Sequence, residues 1–440
     1  MRFPFLNICG RMMGIILGGI IGALLLWYVH FLPTDRMQMH IYQSLPLLQK
    51  EFENSIVIEG YEATLTGSFT DCLMLENAIY YNEAHSAFEQ ALMMYRGEVS
   101  EGDGWAPGTS LAAYLEDAPM SREISYSRYW HGYLLILKPL LMLTNVQTLR
   151  ICNAIVQSIM MCALVGLCFR QKKGSLGVIL AAALMFIYPF VLYFSFSLSI
   201  CYYLVLAAVM TQVLWREKWK SQESFCIFFM VVGMGTAYFD FLTYPLVTLG
   251  FPLGIEIYCS EKRWTKKCGE MLQYLFHWFA GYIGMWAMKW VISDVVFGAG
   301  TIKDALTAIG ERTQSAVEQS VWQGYAQVLE KNLSYYINIP FLFIVMGIVL
   351  WQIAGLGKEW CSGDEKKRGY LLGVLMNQAI PCMLLALLPF IWYIVTQNHS
   401  MEHSVYTCKI VSITVFAVFI FISGWKAGFE ENNMGKSAKE

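Results

Sequence analysis

Charge is scarce in this chain. Only 15% of its 440 residues are Asp, Glu, Lys or Arg while 56% are hydrophobic, a balance well outside that of a soluble globular chain of this length. The net charge of -2 offers no basic field for a nucleic-acid partner. CxxC spacing is missing among the cysteines, and most of them fall in apolar stretches or beside basic ones. Only Cys72 and Cys408 lie elsewhere, so neither a zinc site nor a disulfide framework is expected. Internal repeats, the usual mark of transporters built from related halves, are lacking too. No small-residue cleavage site follows the first apolar stretch, which is therefore expected to be retained.

What is present is apolar sequence in blocks of about 15 to 25 residues, the length a helix needs to cross about 30 Å of hydrocarbon. Backbone groups cannot go unpaired in lipid, so such blocks are helices. The expected fold is an all-α polytopic membrane protein with about ten transmembrane helices. They are placed at Met12–His30, Ile151–Phe169, Leu176–Tyr193, Leu198–Trp215, Phe225–Phe239, Leu242–Tyr258, Leu272–Ile292, Ile337–Leu356, Leu371–Val395 and Ile410–Trp425. Arg2 and Arg11 put the N-terminus in the cytoplasm. The clusters Arg170/Lys172/Lys173, Arg216/Lys218/Lys220, Lys262/Arg263/Lys266/Lys267, Lys358/Lys366/Lys367/Arg368 and the Lys426–Lys439 tail then all fall on that side. The chain divides into a cytoplasmic start and first helix (1–31), a large extracytoplasmic loop (32–147), the remaining bundle (148–425) with an outer loop at 293–335, and a cytoplasmic tail (426–440).

Chemistry is sought on the outer side, where residues 32–145, 195–197, 238–243, 293–335 and 396–409 come together by topology. In the first loop, residues 70–94 have no Pro or Gly and keep Leu73, Ala78, Tyr81, Phe88 and Leu92 at helical spacing. That pattern predicts one amphipathic helix at the membrane surface, opened by Thr70 or Asp71 as cap. Leu134–Leu143 is too short to span and is expected to dip into the interface, with Tyr129, Trp130 and Tyr133 in an aromatic belt. Lys138 and Lys289 are expected to snorkel to headgroups.

Several stretches carry a family resemblance. They are Thr70-Asp71-Cys72-Leu73-Met74-Leu75 after the retained first span, Tyr126-Ser127-Arg128-Tyr129-Trp130-His131-Gly132-Tyr133, and Leu149-Arg150-Ile151-Cys152-Asn153 at the mouth of the second span. Two more are Tyr238-Phe239-Asp240-Phe241-Leu242-Thr243-Tyr244-Pro245 and residues 398–409, from Asn398 through His399 and His403 to Lys409. Together they resemble the multispan glycosyltransferases of the GT-C class, which include the protein mannosyltransferases and the bacterial lipid A aminoarabinose transferases, and within it a group of uncharacterised bacterial members. The resemblance implies a protein of the bacterial cytoplasmic membrane that transfers a sugar from a polyprenyl-phosphate-linked donor to an envelope glycan, lipid or protein acceptor on the outer face. Its partners are then the lipid-linked donor, membrane lipids and that acceptor, with no nucleic acid. An acid early in the first loop serves the class as general base, which here is Asp71. No cofactor is assigned, and a divalent cation stays open.

The departing lipid phosphate needs cationic donors, for which Arg128, His131, His399, His403 and Lys409 are the candidates, Lys409 standing where arginine is more usual in the class. Asp240 and Glu76 are candidates for a second acid or an acceptor-binding group. Blander roles stand beside these. Asp71 suits a helix cap, Glu76 a solvated position, and Arg150 and Asn153 helix packing. His399 and His403, four apart, share a helix face that also suits a metal, but Glu402 is the only acid nearby, so phosphate or acceptor binding is preferred. An O-antigen-type polymerase or ligase and a lipid-linked-sugar flippase or transporter are the alternative functions.

Overall fold

The computed structural model describes residues 4–52, 55–101, 104–219, 221–317, 320–337 and 365–423, together with residues 347 and 350. In chain order the helices are α1 (Pro4–Val29), α2 (Asp35–Leu48), α3 (Ser68–Ile79), α4 (Ala87–Met93), α5 (Pro107–Leu115), α6 (Leu134–Leu143), α7 (Val146–Arg170), α8 (Gly174–Leu184) and α9 (Pro189–Leu192). They continue with α10 (Phe196–Trp215), α11 (Gln222–Phe239), α12 (Val247–Cys259), α13 (Trp264–Phe297), α14 (Thr301–Thr313), α15 (Val321–Ser334), α16 (Glu365–Val395), α17 (Gln397–Glu402) and α18 (Ser404–Thr407). Six described segments are long and apolar enough to cross a membrane: Ile8–Val29, Val146–Arg170, Phe196–Lys218, Gln222–Phe239, Asn377–Val395 and Ser404–Ser423. The chain is therefore a helical multi-pass membrane protein.

Helices α11 and α13 form the closest pair in the bundle. Gly233 on α11 lies where a Cβ would come within 2.1 Å of the Trp278 carbonyl, and Gly281 on α13 lies equally close to the Met230 carbonyl. Each glycine thus admits the other helix's backbone, which is how helices pack where lipid removes the hydrophobic drive. At one end of the bundle, ion pairs join the basic helix ends: Arg11 to Glu223 at 2.7 Å, Lys173 to Glu217 at 2.8 Å and Arg216 to Glu256 at 3.0 Å.

Residues 32–145 form a small domain at the opposite end. There α3 packs against α2, α5 and α10, and strand Tyr95–Glu98 pairs antiparallel with strand Arg122–Ser125. Helix α13, 34 residues and about 51 Å long, carries this domain on its C-terminal third. The Trp130 indole donates to the Met285 carbonyl at 2.7 Å, the Trp290 indole to the Arg128 carbonyl at 2.9 Å, and the Lys289 ammonium to the Leu92 carbonyl.

Several expectations change here. Residues 70–94 form two helices, not one, because Asn82 accepts from the Ala84 N–H and Ser86 caps α4 by accepting from the Glu89 N–H, local bonds that compete with continuation of the first helix. Nor does α3 lie on a surface, since every residue from Asp71 to Ile79 is buried. Tyr129, Trp130 and Tyr133 are core residues and not a belt, and Lys138 and Lys289 are buried, with Lys289 held over the Trp130 ring. The block Leu176–Tyr193 is broken by a 3-10 turn and by Tyr188 at φ 59. Leu242–Tyr258 shortens to α12 because Asp240 closes a turn ahead of it. The Lys426–Lys439 tail lies outside the described residues, as does Ile337–Leu356 apart from residues 337, 347 and 350.

Gly281→Ala is expected to lower the thermal unfolding temperature in detergent by the equivalent of about 1–3 kcal/mol, because the added methyl must push two backbones apart. Gly269→Ala on the same helix, with nothing within 4 Å of the new Cβ, is the control and should be neutral. Equal shifts in the two variants would show that the close contact does not hold the pair together.

Candidate functional site

Where the small domain meets the bundle, they enclose a cavity of about 630 Å³. Its walls come from six separate stretches. Residues 65–73 belong to the approach to α3, 96–98 and 124–129 to the two-stranded sheet and its exit, 241–243 to the turn after α11, Arg312 to the end of α14, and 399–406 to α17 and α18.

Three guanidinium groups face this space. Arg96 stands 5.0 Å from the Tyr126 ring centre and Arg128 5.6 Å from the same ring. Arg312 stacks 5.7 Å from the Tyr129 ring and donates to its hydroxyl at 2.7 Å. Arg128 also pairs with Asp304 at 3.1 Å. Against these the lining holds two carboxylates, Glu98, which is already paired with Arg122, and Glu402. The cavity is cationic, walled by tyrosines, and suited to an anion with planar, bidentate acceptors.

The Asp71 carboxylate lies behind the wall. It is 1% exposed and turns onto the N-terminus of α10, accepting from the Phe196 N–H at 2.9 Å, the Ser197 N–H at 2.8 Å and the Ser195 hydroxyl at 3.2 Å. Asp71 thus caps a neighbouring helix, while its own begins at Ser68, behind Gly67 at the cap position. Burial raises its pKa, opposed by those donors and by the Arg150 charge. From the carboxylate a chain of hydroxyls leads outward. Ser195 Oγ is 3.1 Å from Ser197 Oγ, the Ser197 side chain bonds the Tyr406 hydroxyl, and that hydroxyl is 3.0 Å from Thr70 Oγ1. Thr70 and Tyr406 line the cavity. Gly67 makes room for this cluster, since a Cβ there would meet Ser197, Ser195 and Tyr406 oxygens at 2.5, 2.7 and 2.9 Å.

Asp240 is likewise set back. It accepts from the Thr243 N–H at 3.0 Å and from the Thr243 hydroxyl, closing a turn that holds Leu242 at φ 68. The Leu242 carbonyl accepts from His399 Nε2 at 2.9 Å. Burial lowers the His399 pKa to about 3, so the ring is neutral and contributes a polar edge but no charge. His403 lines the cavity one turn away. His131 does not line it. Its pKa also falls to about 3 through burial, its backbone stands at φ 57, and its ring donates to the Tyr126 carbonyl at 3.0 Å and accepts from the Tyr133 hydroxyl at 3.2 Å. Lys409 is fully buried, its ammonium on the Val405 carbonyl at 2.6 Å. Arg150 pairs with Glu51 at 2.8 Å and Asn153 donates to the Leu192 carbonyl at 2.9 Å, both in helix packing.

Of the residues singled out in the sequence, Arg128, His399 and His403 line the cavity, Asp71 and Asp240 stand one residue behind lining positions, and His131, Lys409 and Glu76 are structural neighbours of its walls. Arg96 and Arg312 escaped the sequence reading. Both left a trace. Arg96 and Glu98 alternate on a strand and so share a face. Arg312 ends a row Thr301, Ala305, Ala308 at helical spacing, a stripe of small residues that must pack inward.

Glu76 sits in the domain core beneath Arg96. Burial pushes its carboxyl up to about 8, with the Arg96 charge and the Gly97 N–H pulling the other way. The folded protein therefore favours the neutral acid, and stability falls as pH rises from the ordinary glutamate value of 4.5 toward 8. Glu76→Gln should remove that slope, so the unfolding temperature of the variant relative to wild type rises steadily between pH 5 and 8. A constant or shrinking difference across that interval would overturn the assignment.

Comparison with protein-family models, with curated proteins and with solved structures finds no match to this chain.

Proposed function

We propose that the protein is a membrane glycosyltransferase of GT-C type that takes a sugar from a polyprenyl-phosphate donor. About ten spans and cytoplasmic termini in a bacterial membrane complete the proposal. One observation carries it: guanidinium groups from three distant segments, Arg96, Arg128 and Arg312, surround a single cavity at the end of the bundle opposite the basic helix ends. Phosphate is the group such a set grips, since each guanidinium offers paired donors to two oxygens.

In this reading the lipid phosphate rests among the three arginines and the sugar extends toward Thr70, Thr243, His399 and Tyr406. An acceptor hydroxyl attacks the anomeric carbon. The new C–O bond forms as the bond to the phosphate oxygen breaks, and the leaving phosphate keeps the electron pair, its charge held by the guanidiniums. The acceptor's proton passes to the Tyr406 oxygen as Tyr406 gives its own inward through Ser197 and Ser195 to Asp71. A carboxylate whose pKa is raised by burial is the better proton acceptor for this purpose.

The test is purification in detergent and assay against a panel of polyprenyl-phosphate sugars. Wild type should transfer from at least one donor. Arg312→Ala should raise KM about tenfold or more, the worth of one charged hydrogen-bonded contact. Asp71→Asn should lower kcat by about a hundredfold or more; its single acceptor oxygen keeps the Ser197 N–H bond and loses the Phe196 one, so the loss of kcat is read on protein whose cooperative unfolding in detergent shows that it is folded. Equal transfer by wild type and Asp71→Asn removes Asp71 from its role, and no transfer from any donor overturns the reading as a whole.

A further inference from the structure

Helix α14 has three faces. Thr301, Ala305 and Ala308 are buried, and Arg312 carries that row on to the cavity wall. Beside it Ile302, Leu306 and Ile309, one turn apart, form a second apolar row that is exposed, Leu306 to 58%. Lys303, Thr307 and Glu311 occupy the remaining side and are exposed as well.

A helix at a boundary between protein and water needs one apolar row, turned inward. The small residues of α14 already supply it. A second apolar row beside the first, with the charges beyond it, is the pattern of a helix that meets protein, hydrocarbon and water on successive sides. Exposed apolar residues also flank it along the chain. At the end of α13, which leads directly into α14, Val291, Val295 and Val296 are exposed, Val295 to 80%. The join is rigid, because the Asp294 carboxylate accepts from the Thr301 N–H at 2.6 Å and the Ile302 N–H at 3.1 Å. At the start of α15, Val321 and Trp322 are exposed too, and tryptophan favours the level of the headgroups.

We propose that α14 lies in the membrane interface with Ile302, Leu306 and Ile309 among the acyl chains, and that a lipid-borne phosphate reaches the cavity sideways past this helix, meeting Arg312 first. The membrane seating stands on the faces of α14 alone, whereas the sideways route rests on the reading of the cavity as a lipid-phosphate site. The seating places a guanidinium at the level of the headgroups on a helix whose depth the bilayer itself sets.

The test uses the full chain in nanodiscs of phosphatidylcholine and phosphatidylglycerol. Photoreactive benzoylphenylalanine is placed at Leu306, at Ile309 or, as control, at Thr307. Lipid adducts are expected at 306 and 309 several-fold above 307. Equal yields at all three, or crosslinks to a second copy in place of lipid, overturn the seating. For the route, Leu306→Asp should weaken binding of undecaprenyl phosphate in the nanodisc about tenfold, most of the worth of one buried leucine, while binding of soluble inorganic pyrophosphate stays unchanged. A loss for both probes shows that Leu306 acts through the fold of the cavity and overturns the route, as does a loss for neither. If wild type binds neither probe, the reading of the cavity fails, and the crosslinking result still decides the seating.

Discussion

The bond between the Asp71 carboxylate and the N-terminus of α10 joins the two halves of this protein. A buried carboxylate is costly unless donors surround it, and a buried helix N-terminus is costly unless an acceptor satisfies its first N–H groups. Each resolves the other here, with Phe196, Ser197 and Ser195 all donating to one side chain. Because α3 is fixed at its first turn in this way, strand Tyr95–Glu98 behind it is fixed too, and with it Arg96. Because α10 is fixed at its start, Tyr406 can reach Ser197 and Thr70. The cavity is the space left between two bodies pinned at this point.

Helix α13 provides the second attachment, on the other side of the cavity. Its contacts with Leu92, Arg128 and Trp130 hold the exit from the sheet, and its Asp294 sets the direction of α14 and so of Arg312. Between the two attachments lie His131 and Leu242, both held with positive φ. Such conformations cost about 1 kcal/mol or more and persist only where surrounding bonds over-determine them. At His131 the bonds run to Tyr126 and Tyr133, and at Leu242 to His399 and through the Asp240 turn. Both bends orient residues of the cavity wall.

How far the sequence discloses this depends on the length scale of each interaction. The long apolar segments such as Val146–Arg170 and Phe196–Trp215 were legible, because crossing hydrocarbon is a demand on contiguous residues. So was the gathering of Arg128, His399 and His403, which follows from placing helix ends on one side. The break at Tyr80–Ser86 was not, since Asn82 and Ser86 matter only through hydrogen bonds that form once the chain has turned. Asp71 was recognised as a cap, but on its own helix; that it caps one 125 positions away along the chain is information no local pattern holds. Lys289 illustrates the same limit, because a lysine near a span end snorkels by default and stays inside only when a carbonyl and an indole face wait for it.

Three guanidinium groups around one cavity repel each other, and repulsion between charges grows as water is excluded. The fold offsets this in part. Asp304 faces Arg128, Glu98, shared with Arg122, lies near Arg96, and the Tyr126 and Tyr129 rings spread their electron-rich faces beneath all three. Aromatic faces ease a cation's burial without adding a negative charge of their own, so the cavity keeps the positive sign that its three guanidinium groups give it.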